Sequence, residues 1–408
     1  MGKWKSDKWF VSPWNYDEEV TREFKFADKL RLHDVTLRDG EQQAGVTFKK
    51  EEKIRIAEAL AELGIHRIEA GMPVVSKEDE AAIKEIVKRN LGPEIFAFSR
   101  CMKDDVKRAA DCGVTGIVIE IPSSDHMIQQ AYRWPLQKAI DLSIEATLCA
   151  KEHGLYTVFF PIDMSRADMV WVLDLLEKVA TEGHMDALAV VDTFGGLSPH
   201  AIPRLIREVK RRINKPLEAH FHDDFGLGAA NTLMALAAGA EVAHTTVSAL
   251  GERAGNTPYE DLSLALLTMY GIDLGLKYEQ IYPLSKMVRE MAGMPIQSNK
   301  GIVGDMIFNI ESGIITSWCK NCEDTPVEVF PIHWDLIGHS PAGIVLGKNS
   351  GLDSIWIWLE KIGVKDVQQK QAEAMLQMVK AKAYEKKDLL SADEFKEIVQ
   401  AVLAKDNS

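Results

Sequence analysis

Residues 30–70, LRLHDVTLRDGEQQAGVTFKKEEKIRIAEALAELGIHRIEA, carry the pattern that decides the fold. The apolar and β-branched run Leu30–Leu37 predicts a strand, and His66–Ala70 predicts a second one. Between them, Lys50–Leu63 carries apolar residues at helical spacing, and Gly64 suits the left-handed position that ends a helix. This strand–helix–strand unit is long enough for a right-handed crossover between parallel strands.

The same rhythm continues to about residue 272. Six further runs complete a set of eight predicted strands: Glu94–Ser99, Gly116–Ile121, Tyr156–Ile162, Asp186–Val191, Leu217–His222 and Val242–Ala249. Eight strand–helix units predict an α/β fold, a (β/α)8 TIM barrel, which usually takes roughly 250 residues. An open doubly wound sheet is the alternative. It is disfavoured because no Gly-x-Gly-x-x-Gly turn follows the first strand and because polar residues gather at the carboxyl ends of several strands.

The predicted organisation has three parts. Residues 1–28 form an N-terminal arm, whose tryptophans are expected to pack on the body or on a neighbouring subunit. Residues 29–272 form the TIM-barrel catalytic domain. Residues 273–408 form smaller appended C-terminal subdomains, mainly helical, and Val367–Leu403 predicts two of their helices.

Composition excludes several classes of function. The chain has 408 residues with 48 Lys+Arg against 61 Asp+Glu, a net charge of −13, and no basic cluster, which argues against a nucleic-acid partner. No apolar run is long enough to cross a membrane. The five cysteines show no disulfide spacing, so a reducing cytoplasm is expected, and Cys319 and Cys322 are predicted to be free thiols. Small-molecule substrates are therefore expected.

The sharpest chemical signal is His220-Phe221-His222-Asp223-Asp224 at the end of the seventh predicted strand. Residues i and i+2 of a strand face the same side, so His220 and His222 can bind one divalent metal ion, although two core histidines would give the same pattern. Asp39 after strand one and Asn256 after strand eight reach the same barrel face. Taken alone, Asp39 would fit a helix or turn cap equally well, and Asn256 would fit a turn residue equally well. Two imidazoles and two oxygens together favour Mn or Mg and leave Zn possible.

Several separated motifs carry a family resemblance: Asp34-Val35-Thr36-Leu37-Arg38-Asp39-Gly40-Glu41-Gln42, Ile68-Glu69-Ala70-Gly71-Met72-Pro73, Asp192-Thr193-Phe194-Gly195, His220–Asp224 with Asn231, and Gly251–Asn256. The chain resembles the DRE-TIM metallolyase superfamily, which includes 2-isopropylmalate, homocitrate and citramalate synthases and 3-hydroxy-3-methylglutaryl-CoA lyase.

The resemblance implies roles for individual residues. Asp39, His220, His222 and Asn256 would bind one divalent ion, and Arg38 would stabilise an enolate or alkoxide. We expect Glu69 to orient Arg38. The expected catalytic set is Arg38, Glu69 and His126, and the expected substrate-binding set is Arg38, Gln42, Thr193 and Arg166.

The synthase branch is favoured. The loop after strand eight is Gly-Glu-Arg-Ala-Gly-Asn and has no cysteine, and residues 299–314 and 346–351 resemble the subdomains that follow the barrel in synthases. The resemblance then implies condensation of an acyl-CoA, first of all acetyl-CoA, with a 2-oxo acid, giving a 2-hydroxy-2-alkyl dicarboxylate and CoA in a homodimer or larger homo-oligomer. A carbon–carbon lyase acting in the retro-Claisen or retro-aldol direction is the alternative. A metal-binding scaffold without activity is the third hypothesis.

Three positions depart from the synthase pattern. Ile162 and Ile315 stand where synthases commonly carry Glu and His, and Asn349 stands where they carry His. These side chains cannot act as bases near neutral pH. His126, His333 and His339 are the remaining candidates, although each also reads as a surface histidine. A different acyl-CoA, a different 2-oxo acid or the reverse cleavage is therefore expected, and the length predicts no leucine-feedback domain.

Overall fold

The computed structural model describes residues 2–406, and contacts divide the chain into two compact units. One unit is Pro13–Ile296, and the other joins the residues up to Ser12 with those from Gln297 onward. These boundaries follow residues 12 and 296, whereas the predicted boundaries follow residues 28 and 272. Residues beyond 272 stay with the barrel unit because its last helix packs against the helix that follows the first strand.

The first unit is a closed barrel of eight parallel strands in the order β1 to β8. The strands are β1 (Arg31–Asp34), β2 (Arg67–Glu69), β3 (Glu94–Arg100), β4 (Gly116–Pro122), β5 (Tyr156–Ile162), β6 (Ala187–Asp192), β7 (Leu217–Phe221) and β8 (Val242–Thr245). The register of β8 with β1 pairs Arg31 with Val242 and closes the barrel. The predicted TIM barrel is thus confirmed, and the open doubly wound sheet is wrong.

Helices surround the barrel. They are α1 (Glu18–Thr21), α2 (Lys50–Leu63), α3 (Lys77–Lys88), α4 (Lys103–Asp111), α5 (Asp125–Gln130), α6 (Leu136–Glu152), α7 (Met169–Glu182), α8 (Ile202–Arg212), α9 (Gly228–Ala237), α10 (Tyr259–Met269) and α11 (Ile281–Ala292). Helix α2 has the predicted bounds. It ends at Gly64, whose φ of 102° turns the chain so that the Ile65 N–H donates to the Leu60 carbonyl at 3.1 Å, a conformation that costs a side-chain-bearing residue more.

Two predicted strands, β1 and β8, end three and four residues earlier than expected. β1 stops at Asp34, where the Asp34 carboxylate accepts from the Thr36 N–H and the chain turns. β8 stops at Thr245, and Ser248 and Ala249 then adopt positive φ values of 56° and 58°. Residues 35–37 and 246–249, which were predicted to be strand, instead lie in the loops that carry part of the site described below.

The second unit is mainly helical. It contains α12 (Gly313–Asn321), α13 (Leu352–Lys361), α14 (Gln369–Lys386) and α15 (Ala392–Asp406), with a two-stranded parallel sheet of β9 (Asn309–Ile310) and β10 (Gly343–Ile344). The two helices expected in Val367–Leu403 are α14 and α15. Trp358 and Phe395 meet edge to face in the core of this unit, with ring centroids 5.9 Å apart. The N-terminal segment joins it through a bridge between Trp9 and Ile332.

The structure also bears on membrane insertion. Within the described residues, no helix combines the length and the apolar character needed to span a bilayer.

Candidate active site

Three buried donor atoms converge inside the carboxyl end of the barrel. His220 Nε2 and His222 Nε2 lie 3.4 Å apart, and they lie 3.5 Å and 3.8 Å from Asp39 Oδ2. Burial, together with the two neighbouring histidines, lowers the pKa of His220 to about 3, despite the Asp39 carboxylate. Burial alone would raise the pKa of Asp39, but Arg38 and the two histidines hold it well below its ordinary value. A neutral imidazole and an ionised carboxylate are the forms that bind a metal.

The loop after β8 brings Asn256 to the same place. His222 and Asn256 form an isolated antiparallel bridge, and Asn256 Nδ2 donates to Asp39 Oδ1 at 2.8 Å. Gly255 has φ 85°, and a Cβ there would lie 1.7 Å from the Ala249 carbonyl oxygen, so this position needs glycine. A strained loop thus fixes the amide of Asn256 beside the carboxylate.

These residues fit one divalent cation. Metal bonds of about 2.0–2.2 Å separate neighbouring ligand atoms by roughly 3–3.5 Å, close to the distances seen here. Asn256 Oδ1 is buried and has no hydrogen-bond partner in the described part of the chain, which suits an oxygen ligand. The donor set is two imidazoles, one carboxylate and one amide oxygen.

Arg38 lies beside this cluster. Its Nε donates to Glu69, and its Nη1 donates to Asp39 Oδ2 at 2.8 Å and to Gln42 Oε1 at 3.4 Å. The guanidinium carbon lies 3.9 Å from the centroid of the Phe98 ring. Nη2 is buried and has no partner among the described residues. One guanidinium edge is thus held in place, while one donor stays available.

A second row of residues orients His220. His244 Nε2 lies 2.8 Å from Glu218 Oε2, and His244 Nδ1 lies 3.3 Å from His220 Nδ1. If His244 donates to the Glu218 carboxylate, its Nδ1 is an acceptor, and His220 must donate from Nδ1. We assign this tautomer because it leaves the lone pair of His220 Nε2 facing Asp39.

His33, Glu218 and His244 form another buried group whose donor atoms lie close together. The His33 and His244 rings are stacked, with centroids 4.5 Å apart and planes 24° apart. Nearly parallel rings cannot both direct a lone pair at one ion placed between them. Arg67 also donates to Glu218 at 2.7 Å, which supplies the cation this carboxylate needs. This group is therefore a structural ion-pair network rather than a second metal site.

The other expected residues meet at Asp163. Its carboxylate accepts from Arg166 at 2.6 Å and 3.0 Å and lies 3.2 Å from His126 Nε2. Thr193 Oγ1 accepts from the Asp163 N–H at 2.8 Å. Three residues of the expected site thus gather around one buried carboxylate that the sequence analysis did not single out.

The remaining candidates lie in the second unit. His333 Nδ1 accepts from the Asp335 N–H at 3.2 Å, and His339 Nε2 lies 3.2 Å from the Gly304 carbonyl. The exposed Asn349 donates from its backbone to Glu311 at 2.8 Å. The roles in proton transfer expected for His333 and His339 stay predictions.

Sequence reasoning missed Glu120, Glu218 and His244. Glu218 precedes His220 by two residues, so strand alternation places it on the same face, and the pattern Glu-x-His-x-His was a usable signal. Glu120 sits in the mainly apolar run of β4, where nothing local marks it.

Comparisons with known proteins agree with this architecture. A family model described as HMGL-like matches residues 29–288. A homocitrate synthase, AksA, from Methanothermobacter thermautotrophicus is 37% identical over 97% of this chain and 98% of that protein. A 2-isopropylmalate synthase from Methanocaldococcus jannaschii is 36% identical over 87% of this chain and 68% of that protein.

A solved structure of hydroxymethylglutaryl-CoA lyase from Pseudomonas aeruginosa shares the fold with a TM-score of 0.59 and 22% identity, covering 66% of this chain and 95% of that one. The family match covers the whole barrel, and the similarity to the synthases extends well beyond it. The chain is an enzyme that belongs to the HMGL-like family, within the DRE-TIM superfamily.

Proposed function

We propose that this chain catalyses the divalent-metal-dependent condensation of an acyl-CoA, first of all acetyl-CoA, with a 2-oxo acid. The product is a 2-hydroxy-2-alkyl dicarboxylate, and CoA leaves. One observation carries the proposal: the buried donors of Asp39, His220, His222 and Asn256 lie beside Arg38, whose Nη2 has no hydrogen-bond partner among residues 2–406. That pairing suits a substrate that chelates a cation and develops negative charge on a neighbouring oxygen.

Each residue has a defined part in this proposal. Asp39, His220, His222 and Asn256 hold the cation, which when bound polarises the ketone of the 2-oxo acid. Arg38 donates from Nη2 to the oxygen that becomes negative as the carbon–carbon bond forms.

Glu69 fixes the guanidinium through its ion pair with Arg38. Burial would raise the pKa of Glu69, but Arg38 lowers it to about 2. The carboxylate therefore stays charged. Gln42, Thr193 and Arg166 are proposed to bind substrate, and His126 to exchange protons with solvent through its exposed side chain.

The similarity to named synthases supports this reaction class. A homocitrate synthase and a 2-isopropylmalate synthase are similar to this chain to nearly the same degree, 37% and 36%. Those names imply different 2-oxo acids, so the assay needs a panel of them.

A carbon–carbon lyase is the second candidate, favoured by the likeness to hydroxymethylglutaryl-CoA lyase, which concerns the fold. The cysteines weaken it. Cys101, Cys112 and Cys149 are buried, and burial raises the pKa of the Cys112 thiol to about 11. Cys319 and Cys322 belong to the other unit, so the loop after β8 offers no thiol.

The test measures thiol release from acetyl-CoA with pyruvate, 2-oxoisovalerate, 2-oxoglutarate and oxaloacetate, each with Mn²⁺, Mg²⁺ or Zn²⁺. We expect release with at least one 2-oxo acid, and loss of release after chelation. If the chain cleaves a 3-hydroxyacyl-CoA and releases no thiol from acetyl-CoA with any of the four 2-oxo acids, the lyase replaces the synthase as the proposed function. Catalytic inactivity with intact Mn²⁺ binding would support the scaffold hypothesis.

We also propose a cytoplasmic enzyme that forms a homodimer or a larger homo-oligomer. Light scattering on the purified chain tests the oligomeric state, and a monomer would contradict it.

A further inference from the structure

We infer that Glu120, near the carboxyl end of β4, is the catalytic base that removes the α-proton of the acyl-CoA. This inference rests on the proposed condensation. It concerns a residue that no motif singled out.

The register of the strands directs Glu120 into the barrel. Glu120 pairs with Phe160 on β5 and with Arg100 on β3. Residues paired across parallel strands face the same side, and the Phe160 ring lies inside the barrel, with its centroid 4.8 Å from that of His220. The Glu120 carboxylate therefore belongs to the same interior layer as the proposed metal ligands.

Glu120 differs from the other carboxylates of this layer in its bonding. Asp39, Glu69 and Asp163 each accept at least one charged hydrogen bond. Among residues 2–406, no hydrogen bond or ion pair engages the Glu120 side chain. It is only half-buried, so a substrate entering the mouth can reach it. A proton acceptor needs a free lone pair, and here Glu120 has one.

Burial and the surrounding charges bring the pKa of Glu120 close to neutral pH. Burial raises the pKa of Glu120 to about 7, with Arg38 and Arg100 lowering it and the charges of Glu69 and Asp39 raising it. Besides burial, the Glu120 charge also raises the pKa of Tyr132 and of the Cys101 thiol. A base is most effective when its pKa lies near the working pH.

Glu120 can also take the place of a carboxylate that β5 lacks. Ile162 on β5 stands where the resemblance predicts a carboxylate, and it pairs with Pro122, two residues beyond Glu120 on β4. Adjacent strands lie about 4.8 Å apart and two residues of a strand span about 6.6 Å, so the two Cα positions lie roughly 8 Å apart, and the long Glu120 side chain can reach part of the same space.

The proposed step balances as follows. One Glu120 oxygen takes an α-proton from the acyl-CoA, and the electron pair of that C–H bond forms the new bond to the ketone carbon. The π electrons of the ketone move to its oxygen, toward Arg38 Nη2. The protonated Glu120 then returns its proton to that alkoxide, and water hydrolyses the thioester to free CoA.

The experiment compares wild type with Glu120→Gln, which keeps the shape, and Glu120→Asp, which keeps the acid. We expect Glu120→Gln to lower kcat by at least ~100-fold, the usual worth of general base catalysis. The KM for the 2-oxo acid and the Kd for Mn²⁺ should change less than about twofold. Glu120→Asp should keep measurable turnover, and the acidic limb of the kcat/KM profile near pH 7 should vanish only in Glu120→Gln.

The matched control is Glu145→Gln on α6, a surface carboxylate paired with Lys103 at 3.3 Å, which should behave as wild type. Circular dichroism checks the fold of each variant. If wild type is active and the kcat of Glu120→Gln is within threefold of the wild-type value, or its pH profile is the same, the inference is overturned. The proposed condensation then still stands. No turnover by wild type on any substrate pair overturns both.

Discussion

The ion-pair network beneath the proposed metal ligands gives the most quantitative prediction. Glu218 is fully buried and accepts from Arg67 Nη1 at 2.7 Å, while His244 Nε2 lies 2.8 Å from its other oxygen. Glu218→Gln keeps the shape and removes the charge. It leaves the half-exposed Glu94 as the carboxylate paired with the buried Arg67 guanidinium, and it turns an amide N–H toward either Arg67 or His244.

The size of the effect follows from two independent estimates. Burial would raise the pKa of Glu218, but His244 and Arg67 lower it from 4.5 to about 2, which corresponds to about 3 kcal/mol. Removing one member of a buried ion pair typically costs about 3–5 kcal/mol. We therefore expect the variant to lose about 3–5 kcal/mol and its Tm to fall by roughly 5–8 °C.

Thermal unfolding at pH 7 followed by far-UV circular dichroism measures this loss. Glu94→Gln is the matched control, because it removes the other carboxylate on Arg67, 3.0 Å away and 40% exposed, and should cost less than about 1 kcal/mol. The double variant Glu218→Gln/Arg67→Met should lose less than the sum of its single variants. A loss under about 1 kcal/mol for Glu218→Gln, or strict additivity, would refute the reasoning.

Three further predictions concern the loops, the ligands and pH. His222→Ala should weaken Mn²⁺ binding by at least ~100-fold in calorimetry while the circular dichroism spectrum stays that of wild type, since outer-shell changes alone cost 10–100-fold; unchanged affinity would contradict the assignment. Gly255→Ala should also weaken Mn²⁺ binding, because a Cβ there meets the Ala249 carbonyl at 1.7 Å and displaces the loop, and normal affinity would show that the loop adapts. Burial raises the pKa of Asp34 to about 7 from 3.8, so the folded state binds the extra proton and the stability that Asp34 contributes should be lost as pH rises from about 4 to about 7. The Tm of wild type should therefore fall relative to that of Asp34→Asn over this range, and equal Tm slopes of the two proteins between about pH 4 and about pH 7 would contradict it.

The proposed metal ligands show how far local pattern reaches. Strand alternation alone put His220 and His222 on one face, and the rule that strand ends share a barrel face brought Asp39 and Asn256 to them. The structure brings these four side chains together as expected. Their role in binding an ion stays a proposal.

Proton transfer shows where local pattern stops. His126, expected to carry it, lies against Asp163, and His333 and His339 belong to the other unit. Glu120 emerged only from the register of three strands. Its raised pKa depends on burial and on the charges of Glu69 and Asp39, which lie far away in sequence.

The sequence by itself determined the barrel, the bounds of α2 and the face on which the two histidines lie, because periodicity and turn residues act over a few positions. The tertiary structure alone decided where β1 and β8 end, which partners engage Arg38, and which carboxylate is left free. Those outcomes depend on distance, burial and charge among residues from different strands. Such properties arise only when the barrel closes.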